Sequence, residues 1–454
     1  MLEERGEHDA CAADVILSRI EQARRRPLRA MIEISDRCNE VCVHCYQVQG
    51  QKGEMTTAEL RRVIDELAQM GILILTLSGG EATLRKDFLE IVAHARLRGF
   101  AVRLFTNGLT MTDALARRLA ELAVHVVEIS LYSHRAEVHD FVTGVPGSFE
   151  RTLAGVRRLV AAGVDTHLKT PLMNVNEDGV DAYIALAESL GATFTLDPSS
   201  LMPSEGGHRT PERFSRSDAA LRRVLEHPRL ADKRDTVEGA RRARPLSAPP
   251  CGAGESIHVE PNGELRPCTM LELPLGNALT GIDAARATDA HLKGVLALTL
   301  GDVHGCRDCD LRAYCHRCHA ASLAEVGDAL APYPTACAQA RAEYEVTARR
   351  TPHLVPTPGR DPVIGPYREV APGMFMPCAD VITSDDDALA ARLGWVRRTS
   401  PLDAAPERAR QGELLQIRRP GRAQARPERM PSRTEFAVHA DAHARARSHT
   451  LASG

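Results

Sequence analysis

The densest chemistry in this chain lies between Cys38 and Cys45, which reads C-N-E-V-C-V-H-C. Three cysteines stand at offsets of four and three, just after the apolar run Met31-Ile32-Glu33-Ile34. Three thiolates cannot complete a four-ligand metal site. The spacing therefore suits a cubane [4Fe–4S] cluster with one iron left open, where a ligand can sit and receive an electron. The alternative is a tetrahedral zinc ion, which needs a fourth protein ligand or a water. His44, inside the triplet, could supply that ligand.

The whole chain sets the frame for that site. At 454 residues it is long enough for two or three domains and a large core. Lys plus Arg number 57 against 60 Asp plus Glu, so a net charge of −3 creates no global field for nucleic acid or a membrane surface. With aromatics at only 4%, base-stacking platforms are absent too, and nucleic acid is not an expected partner. The twelve cysteines are bunched, and only Cys11 and Cys378 stand apart, as plain thiols. Bunching at ligand spacings, in a chain without a secretory signal, indicates metal sites in a reducing compartment rather than disulfides. A cytoplasmic location follows. No run approaches the roughly 18 apolar residues that a spanning helix requires, so no membrane is expected as a partner.

The elements that must position the triplet alternate. Strand candidates are Leu28–Ser35, Ile72–Ser78, Ala101–Thr106, Val124–Leu131, Asp165–Thr170 and Thr193–Asp197. Helical periodicity fills 57–70, 87–98, 112–122, 148–162 and 178–190, with start signals at Thr56-Thr57 and Thr112-Asp113. Such alternation predicts an α/β fold with a parallel sheet. Six strands are too few for a closed eight-stranded barrel, so a partial (β/α)6 barrel is expected. Its functional face would be the C-terminal ends of the strands, where the triplet follows strand one. The expected divisions are an N-terminal extension over 1–27, the barrel over 28–200 and a polar connector over 201–245 with a helix near 216–226. A cysteine-rich unit follows over 246–345, then a small segment of unassigned role over 346–400. The tail, 401–454, carries ten arginines and five prolines and should be disordered.

Cys38-x3-Cys42-x2-Cys45-Tyr46 after the first strand resembles the cluster motif of the radical S-adenosylmethionine (SAM) superfamily. After the second strand comes Ser78-Gly79-Gly80-Glu81, similar to the glycine–glycine–glutamate element that contacts the methionyl amino group in that family. The family usually follows it with proline, where this chain has Ala82. Thr106-Asn107-Gly108 closes the third strand and Glu128-Ile129-Ser130-Leu131 the fourth. The resemblance covers about residues 28–200. It implies a SAM-binding [4Fe–4S] cluster on Cys38, Cys42 and Cys45, with cofactor contacts from Gly79, Gly80, Glu81, Asn107, Ser130 and Tyr46. Lys169, on the fifth strand, would reach the cofactor's carboxylate. It also implies reductive SAM cleavage to a 5′-deoxyadenosyl radical that abstracts hydrogen, with electrons from a donor such as flavodoxin or ferredoxin.

A second group, Cys306-x2-Cys309-x5-Cys315-x2-Cys318 with Cys337, Cys251 and Cys268, resembles the SPASM extension of the same superfamily, which holds two auxiliary iron–sulfur clusters. Glu260–Cys268 looks like its hairpin, with an Asn-Gly turn at Asn262-Gly263. By that resemblance Cys306, Cys309, Cys315 and Cys337 ligate one cluster fully. Cys251, Cys268 and Cys318 hold the other, one thiol short. Two rivals remain: Cys315-His316-Arg317-Cys318-His319 also fits c-type haem attachment, and two C-x2-C pairs also fit a zinc ribbon.

The resemblance implies a radical SAM/SPASM enzyme that modifies a ribosomally made peptide or protein, by cross-linking, decarboxylation, epimerisation or similar oxidation. A buried auxiliary cluster would accept the electron that the substrate radical loses. The alternatives are a small-molecule or cofactor-biosynthetic enzyme and a sulfatase-maturing, formylglycine-forming one. For the last, the family's aspartate base after the hairpin cysteine is replaced by Thr269. Outside catalysis, the alternative is an iron–sulfur electron carrier or zinc-binding protein, which would not need Gly79-Gly80-Glu81.

Overall fold

The computed structural model describes residues 27–199, 201–231 and 246–350, apart from Ala248, His304 and Asp308, together with Tyr367–Ala371 and Met374–Pro377. Cys11, Cys378 and the arginine-rich tail lie outside the described residues.

Six parallel strands make the expected sheet: β1 (Arg29–Ser35), β2 (Ile74–Gly79), β3 (Ala101–Thr106), β4 (Val126–Ser130), β5 (Thr166–Pro171) and β6 (Thr193–Asp197). Between them run α1 (Thr57–Gln69), α2 (Phe88–Leu97), α3 (Asp113–Glu121), α4 (Ala136–Thr143), α5 (Ser148–Ala161) and α6 (Val180–Ser189). Local chemistry sets the boundaries. Thr56 caps α1 in a capping box: its Oγ1 accepts from Glu59 N–H (3.3 Å) while the Glu59 carboxylate accepts from Thr56 N–H (2.8 Å). Leu60, Val63, Ile64 and Leu67 then recur at helical spacing and are buried against the sheet. The helix α4 was not foreseen from the sequence. It follows β4 closely and stops at Gly144, whose φ of 69° is left-handed.

The sheet continues past β1. β7 (Ile257–Val259) pairs parallel to it, with Ala30 opposite Ile257 and Ile32 opposite Val259, and β8 (Leu265–Arg266) returns antiparallel. The order is β6-β5-β4-β3-β2-β1-β7-β8. The cysteine-rich hairpin is thus bonded edge to edge to the strand that feeds the Cys38 loop. One hydrophobic core runs from Ile32, Leu77 and Leu104 through Val259 and Leu271 to Ala320.

Strand parity divides the sheet into two unlike faces. Ile32, Leu75, Leu77, Val102, Leu104, Val127, Ile129 and Leu168 are fully buried under the helices. The opposite parity carries Glu33, Ser78, Arg103, Glu128, Lys169 and, on β7, His258. A parallel sheet buried on both faces would be apolar throughout. This one keeps a polar face.

Within the stretch expected as a connector, α7 (Asp218–Glu226) matches the helix expected near 216–226. The cysteine-rich part adds α8 (Ile282–Thr288), α9 (Ala290–Ala297), α10 (His319–Val326) and α11 (Pro334–Arg350). Tyr367–Ala371 and Met374–Pro377 form a separate antiparallel pair. Among the described residues no helix is long and apolar enough to cross a membrane.

Candidate metal and cofactor centre

The Cys38 loop is held by backbone contact with the turn after β2. Gly80 N–H donates to Ser35 O (2.7 Å) and Glu81 N–H to Arg37 O (2.8 Å). A Cβ on Gly79, whose φ is 136°, would stand 2.2 Å from Ser35 O; one on Gly80 would stand 2.5 Å from Arg37 O. Only glycines let the two segments meet. Glu81 lies beneath them, 1% exposed, and its carboxylate accepts from Thr83 N–H (3.0 Å), Thr106 Oγ1 (2.8 Å) and Asn107 N–H (2.8 Å). Asn107 Nδ2 in turn donates to Asn39 Oδ1 (2.6 Å), the residue after Cys38. The motif residues Gly79, Gly80, Glu81 and Asn107 therefore converge on the cysteine loop.

All three thiols of the loop are shifted in the same sense. Burial pushes Cys38 up to about 12 and raises Cys42 and Cys45, with Glu40, Cys45 and Cys38 adding to the effect on Cys42. Thiols this reluctant to ionise lose their protons to a metal, which supplies the positive charge that burial withholds. Glu40 was not foreseen as part of the site. It is buried, lies 3.4 Å from Cys42 Sγ and is pushed up to about 7 by burial. His44 packs edge-on against Tyr132 (ring centroids 4.7 Å apart), and burial lowers its pKa to about 4.

Tyr132 approaches Cys42 Sγ at 3.9 Å and is steadied from behind by His139, whose Nδ1 accepts from Tyr132 N–H (3.2 Å). His139 is fully buried and held neutral, its pKa lowered to about 4 by burial. A histidine neutral when folded but free to charge when unfolded leaves stability intact above its ordinary pKa of about 6.5. It withdraws stability as pH falls from there to about 4, by about 3 kcal/mol in full. His139→Gln is expected to flatten that part of the acid limb of stability against pH, measured by chemical denaturation between pH 7 and 4. An unchanged slope would assign the acid sensitivity elsewhere.

Tyr46 faces the hairpin side, where its hydroxyl donates to Glu33 Oε1 (3.0 Å). There the structure gathers a group no sequence spacing announced. His258 Nε2 lies 3.1 Å from Glu260 Oε1 and 3.7 Å from Glu33 Oε1. Lys52 of the cysteine loop bonds Glu205 (2.5 Å) and Glu260, and Arg266 bonds Glu205 (2.8 Å), Glu260 (3.1 Å) and Glu264 (2.8 Å). Burial raises the pKa of Glu33; burial also opposes ionisation of Glu260, yet hydrogen bonds from His258 and Lys52 hold it down to about 2. Ligand atoms of Glu33, His258 and Glu260 lie within 4.8 Å of one another. Lys52 and Arg266 already bring two positive charges to Glu260, so the group is an ion network that clamps the cysteine loop to the hairpin. Lys169, on the polar face, pairs with Glu128 (2.9 Å), which Arg103 also bonds (2.8 Å), and its Nζ stands 3.8 Å over the Phe105 ring. Ser130 lies beside it in register on β4.

The remaining thiols fall into two sets. Cys306, Cys309, Cys315 and Cys337 line one cavity with Arg312 and Arg317. Burial and then the other three thiols push Cys337 up to about 12. Cys251, Cys268 and Cys318 pack together against the main core, and burial followed by the neighbouring thiols pushes Cys268 up to about 11. The C-x2-C pair Cys315/Cys318 is split between the sets, which a zinc ribbon built from two such pairs does not do. His316, next to Cys315, is turned outward to Glu343 (3.3 Å) with its side chain 72% exposed.

Residues 32–187 match the Radical SAM superfamily model. This part of the chain is a radical SAM domain. An AdoMet-dependent heme synthase of Methanosarcina barkeri is 37% identical over 163 residues, 35% of this chain and 47% of its own length. A mycofactocin maturase MftC of Mycobacterium ulcerans is 34% identical over 195 residues, 42% of this chain and 52% of its own. The chain thus spans about half the length of these relatives. In three dimensions the chain shares the fold of Streptococcus suis SuiB, in a structure with the precursor peptide SuiA bound. The TM-score is 0.53 at 14% identity, covering 74% of this chain and 82% of SuiB.

Proposed function

We propose that this chain is a radical SAM/SPASM enzyme that modifies a peptide. The observation that carries the reading is the pairing of two arrangements in one fold. A three-thiol loop is clamped by Gly79-Gly80, and seven further thiols divide four and three around separate centres. The donor chemistry fits: Cys38, Cys42 and Cys45 would hold a [4Fe–4S] cluster with one open iron, and the other sets two auxiliary clusters, each held by thiols that are half-buried or buried. When bound, the cluster and SAM supply a 5′-deoxyadenosyl radical that removes a hydrogen atom; this chemistry belongs to the cofactor.

The chain's own residues position and enclose. Glu81 and Asn107 fix the cysteine loop from β2 and β3, Tyr46 and Lys52 fix it to the hairpin, and Ser130 and Lys169 stand on the polar face in register. Arg103, Glu128 and Lys169 give that face charge of both signs, suited to the amides and termini of a peptide. The names of the MftC relative and of the peptide-bound SuiB support a peptide substrate. The heme synthase relative favours a second reading, a small-molecule substrate.

One experiment separates them. Anaerobically reconstituted protein with SAM and dithionite is expected to yield 5′-deoxyadenosine, and a short peptide encoded beside this gene is expected to change mass in the same mixture. Cleavage without any peptide change, but with turnover of a porphyrin, would move the assignment to the second reading. An electron carrier would cleave no SAM.

A further inference from the structure

Two arginines stand in the wall of the four-thiol cavity, and they differ. Arg312 is half-buried and donates to the carbonyls of Cys306 (3.5 Å) and Arg307. Arg317 is only 4% exposed. One of its terminal nitrogens donates to the carbonyls of Ala329 (2.5 Å) and Ala331 (2.8 Å), and the other stands 2.9 Å from His319 Nδ1. Its Nε has no hydrogen-bond partner. Among the described residues no carboxylate lies within ion-pair distance of this guanidinium. A buried, permanently charged group with no counter-ion is strongly disfavoured, so negative charge must come from elsewhere.

The surroundings say from where. Arg317 separates Cys315, of the four-thiol set, from Cys318, of the three-thiol set. It lines the cavity of the first set directly. It also adjoins the second: the next residue is Cys318, and a terminal nitrogen of the guanidinium stands 2.9 Å from Nδ1 of His319, the residue after that thiol. Arg312, by contrast, meets the first set alone, through the carbonyl of Cys306 and the wall of the four-thiol cavity.

We propose that Arg317 is the shared counter-ion of the two auxiliary clusters, seated between them and raising the reduction potential of both. The inference rests on the two-cluster reading above. Its physical content is simple: adding an electron to a thiolate-ligated cluster adds negative charge, and a buried cation nearby stabilises the reduced form. Arg317 is thereby a positioning and tuning residue for electron acceptance, not a ligand.

The test uses full-length protein carrying alanine at Cys38, Cys42 and Cys45, so that only auxiliary clusters are read. Iron and sulfide are quantified first, and midpoint potentials then follow from EPR-monitored redox titration. Arg317→Gln is expected to keep its iron and shift both potentials downward, and Arg317→Lys to hold them near the parent values. Arg312→Gln is expected to move one potential only. Unchanged potentials in iron-replete Arg317→Gln, or a shift confined to one cluster, overturn the proposal. So does loss of iron in both Arg317 variants, which would make the residue a brace for the Ala329–Ala331 carbonyls. Should Arg317→Gln not fold, the unsubstituted residue can be read by pulsed EPR with ¹⁵N-arginine labelling in the Arg312→Gln background, which removes the other arginine of the cavity wall. Hyperfine coupling to both reduced clusters is expected, and coupling to neither or to one alone overturns the proposal. A parent protein holding no auxiliary iron is a different result, visible before any potential is measured, and it removes the two-cluster reading itself.

Discussion

Alanine at Cys38, Cys42 and Cys45 together is expected to abolish 5′-deoxyadenosine formation while leaving about eight of roughly twelve irons in place, by the four-iron stoichiometry of cubane clusters. The separation follows from how the thiols are grouped. The three loop thiols depend on a contact between the ends of β1 and β2. The other seven depend on the hairpin, α10 and α11, and none of their nearest thiol neighbours comes from the loop. Removing three half-buried thiols also removes three groups that resist ionisation, so the empty loop should not destabilise the fold. Iron and sulfide analysis after anaerobic reconstitution, with chromatography of the SAM products, reads both halves. Residual SAM cleavage would place the reactive cluster elsewhere. About four irons with bound zinc would restore a zinc reading of the cysteine-rich part.

Much of this arrangement is legible in the sequence because its pieces are local. The cysteine spacings, the Gly-Gly-Glu turn and the strand–helix alternation each lie within a few residues, and the six strands form within two residues of where apolar runs predict them. The hairpin around Asn262-Gly263 is equally local, though nothing in its own sequence tells that β7 joins β1. That pairing depends on matching edges 227 positions apart, Ala30 to Ile257, which periodicity does not encode.

What stayed hidden is the partner of each named residue. Glu81 reads as a carboxylate for a ligand's ammonium group; the structure gives its oxygens to Thr83, Thr106 and Asn107 as well. Lys169 reads as a contact for the cofactor's carboxylate, and Glu128 claims it. The network of Glu33, Lys52, Glu205, Glu260, His258 and Arg266 draws on four separate stretches of chain, so no motif could reveal it. A signal did exist. Arg103, Glu128 and Lys169 each place a charge in a strand of a parallel sheet, all on one parity, the mark of a face that is not packed under helices.

Gly80→Ala is expected to empty the first cluster site and cut SAM cleavage at least about 100-fold, with auxiliary iron retained. The physical cause is overlap, since the added Cβ would stand 2.5 Å from Arg37 O, 2.7 Å from its carbonyl carbon and 3.1 Å from Cys38 N. All three are backbone atoms, which cannot rotate away as a side chain would. Relief requires the loop to retreat from β2, which breaks the hydrogen bonds from Gly80 N–H to Ser35 O and from Glu81 N–H to Arg37 O. Cys38 moves with that backbone, and a misplacement of about 1 Å is enough to cost two orders of magnitude in a positioned reaction. Gly99→Ala is the matched control. Gly99 has a φ of 92° but nothing within 4 Å of its Cβ position, so its substitution costs on the order of 1 kcal/mol of backbone strain and leaves the loop alone. Thermal denaturation should therefore register Gly99→Ala while its iron content and SAM cleavage stay at the parent level. If Gly80→Ala kept full iron and full cleavage, the clamp between β2 and the cysteine loop would not be what organises the site.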